Sequence, residues 1–367
     1  MRRYTVMVVD DSAFMRKIIS DLIAEDLEFE VIGTAKNGKE AVEKASELKP
    51  DVITLDVEMP VMNGLEALQA IMSNEPIPII MLSSLTDDGA RETIKALELG
   101  AVDFVRKPSG SISLDLFKVK DLLLDKLRIA VRAKVKRIQL LETQRIEGTR
   151  DRTARREIAA EDSKAIPSKL EYIVAIGTST GGPKALQTVL SNIPSHFPAP
   201  ILVVQHMPPN FTKSLAQRLN LNCELRVVEA EQHMEVSPGT VYIAPGGYHM
   251  KLVKKSSQYR VELTKEDIRS GHRPSVDILF ESLVPFNELK RYAVIMTGMG
   301  ADGAKAMKLL KSSGAKATIA EAEETCIVYG MPRAAVELNA VDYIVKLPAI
   351  AGKLDEMIMS DKSRNRS

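Results

Sequence analysis

Three aspartates in the first third of the chain have the placement of a phosphate-transfer site. Asp10 and Asp11 follow the apolar run 4–9, and Asp56 follows the run 52–55. If both runs are strands of one parallel sheet, their carboxyl ends meet at one edge and the three carboxylates converge. Two like charges about 4 Å apart repel by roughly 4 kcal/mol at an effective dielectric near 20, so the cluster needs a cation. Carboxylate oxygens with room for water suit Mg²⁺.

A lysine and a serine at two further strand ends complete this set. Lys107 follows the run 103–105 and adds a positive charge, and Ser83 follows the run 78–82 and offers a hydroxyl. The combination fits phosphoryl transfer onto a carboxylate, with the metal and the lysine neutralising the transferred group. A single aspartate at a strand end more often caps a helix, but five such positions favour the functional interpretation.

A second set of residues, in the last 200 positions, could perform nucleophilic catalysis. Gly177, Ser179 and Gly181 alternate with threonines after an apolar run, and this spacing is that of a nucleophile elbow. Glycines allow the sharp turn, and the N-terminus of the following helix offers N–H groups to a developing negative charge. A plain turn, or a phosphate cradle, is the alternative for this segment.

A serine nucleophile requires a base and a carboxylate that orients it. Of the histidines, only His206 follows directly on an apolar run (201–205), so it is expected at the same sheet edge as Ser179. Asp302, which follows the run beginning at Tyr292, meets the same condition. The others are His196, His233, His249 and His272.

The residues around Asp302 also allow a different class of protein. Gly298, Gly300 and Gly303 form a Gly-x-Gly-x-x-Gly pattern after a strand, and Glu321 lies about twenty residues on, as in dinucleotide-binding folds. An NAD-binding domain is therefore the main enzymatic alternative. It leaves Ser179 and His206 without a role.

Both predicted sites require parallel β-sheets that bring residues far apart in the chain to the same sheet edge. Short β-branched runs alternate with helix-length segments before about residue 107 and again after Tyr172, which predicts an α/β protein of two domains. The predicted domains are residues 1–123, a (βα)5 unit, and residues 169–360, a doubly wound, mostly parallel sheet. An antiparallel hairpin is expected at 249–254 and 259–264, joined through 255–258. Residues 124–168 are predicted to form an exit helix and a charged linker.

Composition excludes several other classes of protein. The chain has 367 residues, which favours two domains. Its 50 basic and 49 acidic residues give a net charge of +1, so nothing in the overall charge attracts nucleic acid or an anionic membrane. Two cysteines form neither a disulfide framework nor a metal cluster, and no apolar stretch reaches the roughly 20 residues of a membrane span. We expect a cytoplasmic monomer that binds no nucleic acid and does not insert into membranes.

The first domain resembles the receiver domain of bacterial two-component response regulators. The resemblance rests on residues 8–12 and 51–60 and on Lys107 with the proline after it. It implies a flavodoxin-like fold in which Asp56 accepts the phosphoryl group. It also implies that Asp11, Asp56 and the backbone carbonyl of Glu58 hold Mg²⁺, with Asp10 nearby. By position, Ser83 and Lys107 would contact the phosphoryl group and Phe104 would be the aromatic switch residue.

The second domain resembles the chemotaxis protein-glutamate methylesterases of the CheB family. The matching segments are 176–183, 205–208, 243–249, 273–277 and 296–303. The resemblance implies that Ser179 is the nucleophile, His206 the base and Asp302 the orienting acid, with backbone N–H groups of Thr180 and Met299 as candidates for the oxyanion hole. No cofactor is expected in this domain.

The same resemblance implies substrate, partners and control. The substrates would be glutamate γ-methyl esters, and also some glutamines, on methyl-accepting chemoreceptors. The histidine kinase CheA would phosphorylate Asp56, and the unphosphorylated receiver would cover the catalytic cleft. A response regulator whose output domain only binds a partner is the non-enzymatic alternative.

Overall fold

The first domain is built on a five-stranded parallel sheet. The computed structural model describes residues 3–84, 86–107, 113–133 and 170–364. The strands are β1 (Tyr4–Val9), β2 (Phe29–Ala35), β3 (Val52–Asp56), β4 (Ile79–Ser83) and β5 (Asp103–Arg106). Their order is β2-β1-β3-β4-β5, and the direction of winding reverses between β1 and β3. Ligands of open parallel sheets bind at the carboxyl ends of the strands beside such a reversal, which is where Asp10 and Asp56 lie.

Five helices connect and cover these strands: α1 (Ala13–Ala24), α2 (Gly38–Leu48), α3 (Gly64–Asn74), α4 (Asp87–Glu98) and α5 (Ser113–Ala130). The first four begin at an Ser, Asn or Thr side chain that accepts a backbone N–H of the first turn, so each start is fixed by a local cap. The fold class predicted for this domain is therefore confirmed.

The described part of the predicted exit helix, up to Ala130, is the end of α5. Leu124 and Leu127 are buried in the core of the first domain, where α5 packs on strands β4 and β5. The helix ends at Ala130, and the rest of the predicted helix and the charged linker lie outside the described residues. The boundaries 123/124 and 168/169 remain predictions.

The second domain contains a seven-stranded sheet whose described strands all pair in parallel. Its strands are β6 (Tyr172–Thr178), β7 (Ile201–Gln205), β8 (Arg226–Glu229), β9 (Thr240–Ile243), β12 (Lys290–Ile295), β13 (Ala317–Glu321) and β14 (Tyr343–Val345). The order is β14-β13-β12-β6-β7-β9-β8, so the winding reverses between β6 and β12. The helices are α6 (Gly182–Leu190), α7 (Phe211–Asn222), α8 (Val276–Leu283), α9 (Ala304–Ser312), α10 (Met331–Glu337) and α11 (Ile350–Arg364). Strands β6 and β7 are buried along their whole length, as expected of the centre of a sheet covered on both faces.

The predicted hairpin is present as β10 (His249–Lys255) and β11 (Gln258–Thr264). The prediction of a connection over residues 255–258 is wrong, because Lys255 pairs with Gln258 and the turn consists of two residues only. Ser256 and Ser257 have φ values of 48° and 70°. Positive φ at both positions is the geometry of a type I′ turn, whose twist matches that of the flanking strands.

None of the helices in the described ranges combines the length and the apolar character that a membrane-crossing helix requires.

Candidate active site and phosphorylation site

The candidate nucleophile lies in a tightly packed turn between β6 and α6. Ser179 is 7% exposed, and its backbone N–H donates to the Thr297 carbonyl at 3.0 Å. Gly181 has a φ of 78°, which favours glycine at that position. A Cβ at Gly298 would lie 2.8 Å from the Ser179 Cβ, so the loop after β12 needs a glycine to pass the serine. These contacts fix the turn at the point where the winding of the sheet reverses.

His206 and Asp302, the predicted base and the predicted orienting acid, are hydrogen-bonded to each other. His206 Nε2 shares a hydrogen bond of 2.8 Å with Asp302 Oδ2, and both side chains are almost fully buried. His206 Nδ1 is also buried and has no hydrogen-bond partner among the described residues. Ser179 and His206 line the same cavity, which has a volume of about 390 Å³.

Several donors hold Asp302 in its ionised form. The Ser275 hydroxyl donates to Oδ1 at 2.8 Å, the Val276 N–H donates to Oδ2 at 2.7 Å and the Asp277 N–H donates to Oδ1 at 3.1 Å. Burial alone would raise the pKa of Asp302, but the bonds from His206 and from the start of α8 hold it below the ordinary value. An ionised Asp302 can only accept, so His206 Nε2 carries the proton of this hydrogen bond and the lone pair is on Nδ1.

Two residues beside His206 and Asp302 were not predicted from the sequence. Ser275 supports Asp302, and His272 stacks on His206 with ring centroids 3.7 Å apart and an interplanar angle of 9°. Burial, and next the neighbouring His206, lower the pKa of His272 to about 4. Both residues follow β11 in a loop without apolar periodicity. The only signal for them was the quoted segment 273–277, and it includes Ser275 but not His272.

Of the two candidate oxyanion donors, Thr180 adjoins Ser179 in the chain and Met299 follows Gly298, which packs on Ser179. Neither the Thr180 nor the Met299 N–H has a protein acceptor within the described part of the chain. The Thr180 hydroxyl donates to Asp103 of β5, so the residue beside Ser179 contacts the first domain. The Met299 side chain is half exposed.

The acidic cluster of the first domain forms as predicted from the strand ends. Lys107 Nζ lies 2.8 Å from Asp10 Oδ2 and 2.7 Å from Asp56 Oδ2. Asp10 and Asp56 are buried and Asp11 is exposed, and oxygens of the three carboxylates lie within 4.8 Å of one another. Burial and the nearby charge of Asp10 raise the pKa of Asp56 to about 6, against the opposing effect of Lys107. All-oxygen ligands of this kind fit a hard cation such as Mg²⁺.

Other predicted residues of this site surround the cluster. Asp56, Lys107 and Glu58 line a cavity of about 510 Å³, and the Glu58 N–H donates to Asp56 Oδ1 at 3.4 Å. Ser83 is buried and its hydroxyl accepts from Thr93 at 2.7 Å. The ring of Phe104 contacts Phe211 of the second domain.

The first domain lies against the second beside the catalytic cavity. Phe104 of β5 stacks on Phe211 of α7, with ring centroids 4.5 Å apart. Lys126 of α5 forms an ion pair with Asp103, which also binds Thr180. Asp103, Phe104 and Lys126 line the cavity that contains Ser179 and His206. The first domain therefore forms one wall of the catalytic cavity in this conformation.

The geometry does not support the dinucleotide alternative. Glu321, the expected ribose ligand, is fully buried and accepts the Thr297 N–H at 2.8 Å. The glycine-rich loop supplies Asp302 to His206 and packs on the Ser179 turn. Both features place this loop against His206 and the turn of Ser179.

The fold and the two sites define a class of protein: a response regulator whose output domain is a hydrolase. The family model of the response regulator receiver domain matches residues 6–115, and that of the CheB methylesterase matches residues 174–354. The chain belongs to the CheB methylesterase family and carries a receiver domain in front of the catalytic domain.

Whole-length relatives and a solved structure agree with this assignment. A protein of Geobacillus kaustophilus named protein-glutamate methylesterase/protein-glutamine glutaminase is 50% identical over 98% of this chain and 99% of its own length. A protein of the same name from Thermotoga maritima is 46% identical over 96% and 98%. The crystal structure of the Thermotoga maritima CheB methylesterase catalytic domain is 46% identical and has a TM-score of 0.50, covering 51% of this chain and 98% of that domain.

Proposed function

We propose that the chain hydrolyses glutamate γ-methyl esters on methyl-accepting chemoreceptors, releasing methanol, and that phosphorylation of Asp56 activates it. The observation that carries this proposal is the His206–Asp302 hydrogen bond in the cavity that Ser179 lines. The names of the relatives supply the substrate class.

The first half of the reaction forms an acyl-enzyme. His206 Nδ1 takes the Ser179 hydroxyl proton while Oγ attacks the ester carbonyl, and Asp302 stabilises the resulting imidazolium. The imidazolium then gives its proton to the departing methoxide, which leaves as methanol. The tetrahedral oxyanion binds the N–H groups of Thr180 and Met299, and loss of one such donor costs roughly 3 kcal/mol of barrier.

The second half of the reaction restores the enzyme. A water molecule loses a proton to His206 and attacks the acyl carbonyl. The imidazolium then returns this proton to Ser179 Oγ as the acyl bond breaks, which leaves a glutamate carboxylate on the receptor. A glutamine side chain passes through the same acyl-enzyme with ammonia as the leaving group, so deamidation of receptor glutamines uses the same residues.

Phosphorylation of the receiver is proposed to regulate the enzyme by moving the receiver residues that line the cavity of Ser179 and His206. Asp11, Asp56 and the Glu58 carbonyl would hold Mg²⁺, with Asp10 nearby, and this ion would neutralise the phosphoryl group that arrives from the histidine kinase CheA. Lys107 and Ser83 would contact the bound phosphoryl group. Phe104, which lies on β5 between this site and Phe211, would link phosphorylation to the domain contact. We expect the chain to act in the cytoplasm as a monomer.

The test is methanol release from membranes that contain methylated receptors. We expect the full chain to release methanol, and to release it faster when Mg²⁺ and a small-molecule phosphodonor are present. Ser179→Ala should reduce the release to background, while Ser195→Ala, at an exposed position, should leave it unchanged. Unchanged release by Ser179→Ala would refute the esterase mechanism. A phosphodonor response retained by Asp56→Asn would refute the proposed control.

A further inference from the structure

We infer that His206, His272 and Asp302 form a binding site for a transition-metal ion such as Zn²⁺. We further infer that the bound ion inhibits the enzyme reversibly. The inhibitory consequence rests on the proposed function, because it requires His206 to be the base. Binding of the ion depends only on the side-chain cluster itself.

The ligand atoms are close enough to share one ion. Ring nitrogens of His206 and His272 and a carboxylate oxygen of Asp302 all lie within 4.8 Å of one another. Zinc binds imidazole nitrogen and carboxylate oxygen at about 2.0–2.2 Å, so atoms roughly 4 Å apart can coordinate the same ion. Two imidazoles and one carboxylate are also a ligand set that proteins use for zinc, with water in the fourth position.

Each of the three residues has an available donor. His272 Nδ1 is 2.8 Å from the Ser270 carbonyl, so this nitrogen carries the proton and Nε2 keeps its lone pair. His206 Nε2 faces Asp302 Oδ2 at 2.8 Å, so an ion between these two atoms displaces the Nε2 proton, which the unpartnered Nδ1 takes up. Asp302 retains three donors from Ser275 and the start of α8, so its position survives when the oxygen facing His206 binds an ion instead.

The loop that carries His272 can supply the movement that coordination requires. The rings of His206 and His272 are stacked face to face. One ring must therefore rotate out of the stack before nitrogens of both rings can point at the same ion. A Cβ at Gly271 would meet no atom within 4 Å, so there is free space beside this part of the loop. His206 Nε2 and Asp302 Oδ2 already face each other, so the larger movement falls to His272.

The charges around the cluster explain why the ion would inhibit and not serve as a permanent cofactor. Lys126, Arg106 and Arg273 line the same cavity and repel a cation, although Lys126 is paired with Asp103. Asp302 supplies a single negative charge within the cluster. Imidazole ligands favour Zn²⁺ over the hard ions Mg²⁺ and Ca²⁺. This cluster should therefore not bind Mg²⁺, the ion that suits the aspartates of the receiver domain. With the ion on His206 Nε2, Nδ1 carries the ring proton and cannot take the proton of Ser179.

The experiment uses untagged full-length protein in excess Mg²⁺, which keeps the aspartate cluster of the receiver occupied. Zn²⁺ is titrated into the protein in a calorimeter and, separately, into the methanol-release assay. We expect calorimetry to show a single saturable zinc site. We also expect Zn²⁺ to inhibit methanol release, and a chelator to reverse this inhibition after the Mg²⁺ that it removes is replaced. His272→Gln should weaken both binding and inhibition at least about tenfold, measured against its own zinc-free activity.

Two further variants make the result decisive. His272→Cys replaces one zinc ligand by another and should retain binding. His196→Gln removes an exposed histidine outside the cluster and should behave as the wild type. Zinc binding or inhibition that His272→Gln leaves unchanged would overturn the inference, as would the absence of saturable binding in the wild type. If the wild type released no methanol, the proposed function would fail, while calorimetry would still decide whether the metal site exists.

Discussion

Arg218 and Glu98 form an ion pair across the contact between the two domains, and its removal should raise the activity of the unphosphorylated protein. Arg218 Nε on α7 lies 3.2 and 2.9 Å from the two carboxylate oxygens of Glu98 on α4. The Glu98 side chain is 7% exposed and that of Arg218 is 40% exposed. Burial raises the pKa of Glu98, and Arg218 opposes this effect. Arg218→Met would therefore leave a buried carboxylate without its partner while the domains are in contact.

The size of the effect follows from this unequal burial. A hydrogen bond to a charged group contributes about 1.5–3 kcal/mol, and exposed ion pairs contribute less than about 1 kcal/mol. A pair with one buried and one half-exposed partner falls between them, at about 1–2 kcal/mol. When the domains separate, water solvates Glu98 and the penalty disappears. The equilibrium between contact and separation should therefore shift about five- to thirtyfold, because 1.4 kcal/mol corresponds to a factor of ten.

The assay is methanol release without phosphodonor, and the matched control is Glu98→Gln. Arg218→Met should increase this basal rate by about five- to thirtyfold and leave the rate with phosphodonor nearly unchanged. Glu98→Gln removes the buried charge and leaves Arg218 accessible to water, so its increase should be clearly smaller. An unchanged basal rate in Arg218→Met, or a larger increase in Glu98→Gln, would refute the reasoning.

Three further predictions test individual residues. Asp302→Asn should lower kcat by roughly 10³- to 10⁴-fold, because His206 would lose the acceptor that fixes its tautomer; a loss below tenfold in steady-state assays would contradict this role. Gly298→Ala should abolish methanol release while circular dichroism stays unchanged, since the added Cβ would lie 2.8 Å from the Ser179 Cβ. The pKa of Asp56 is raised from 3.8 to about 6, so in Mg²⁺-free buffer its contribution to stability is lost as the pH rises through about 6. Asp56→Asn cannot ionise and should be more stable than the wild type at pH 8, by up to about 3 kcal/mol in the free energy of unfolding, with the difference disappearing toward pH 4. Urea denaturation across this pH range measures it, and a difference that does not vary with pH would count against the buried-charge explanation.

The sequence predicted the positions of the site residues because strands are encoded locally. Apolar β-branched runs end at Asp10, Asp56, Ser179 and His206, and parallel strands bring their carboxyl ends to one edge whatever the separation along the chain. For His206 and Asp302 the sequence predicted only that both lie at the same edge of the sheet. It could not predict their hydrogen bond, because no local pattern sets a distance between residues 96 positions apart.

Contacts made by irregular segments and between domains could not be predicted in this way. His272 lies in a loop without periodicity, and its stacking on His206 depends on how that loop folds back over the sheet. Phe104 and Phe211 belong to different domains, and each has an apolar neighbourhood that explains its burial without the other. The two-residue turn at Ser256 was missed because serine seldom adopts positive φ, so the sequence lacks the usual Asn-Gly signal.

The most direct test of the central claim is to identify the covalent intermediate. The full chain, activated with Mg²⁺ and phosphodonor, is mixed with methylated receptor membranes, quenched in acid within the first turnover and digested for mass spectrometry. We expect a receptor glutamyl ester on Ser179, formed together with methanol and absent from Ser179→Ala. A glutamyl ester on a different side chain, or undiminished methanol release by Ser179→Ala, would contradict it.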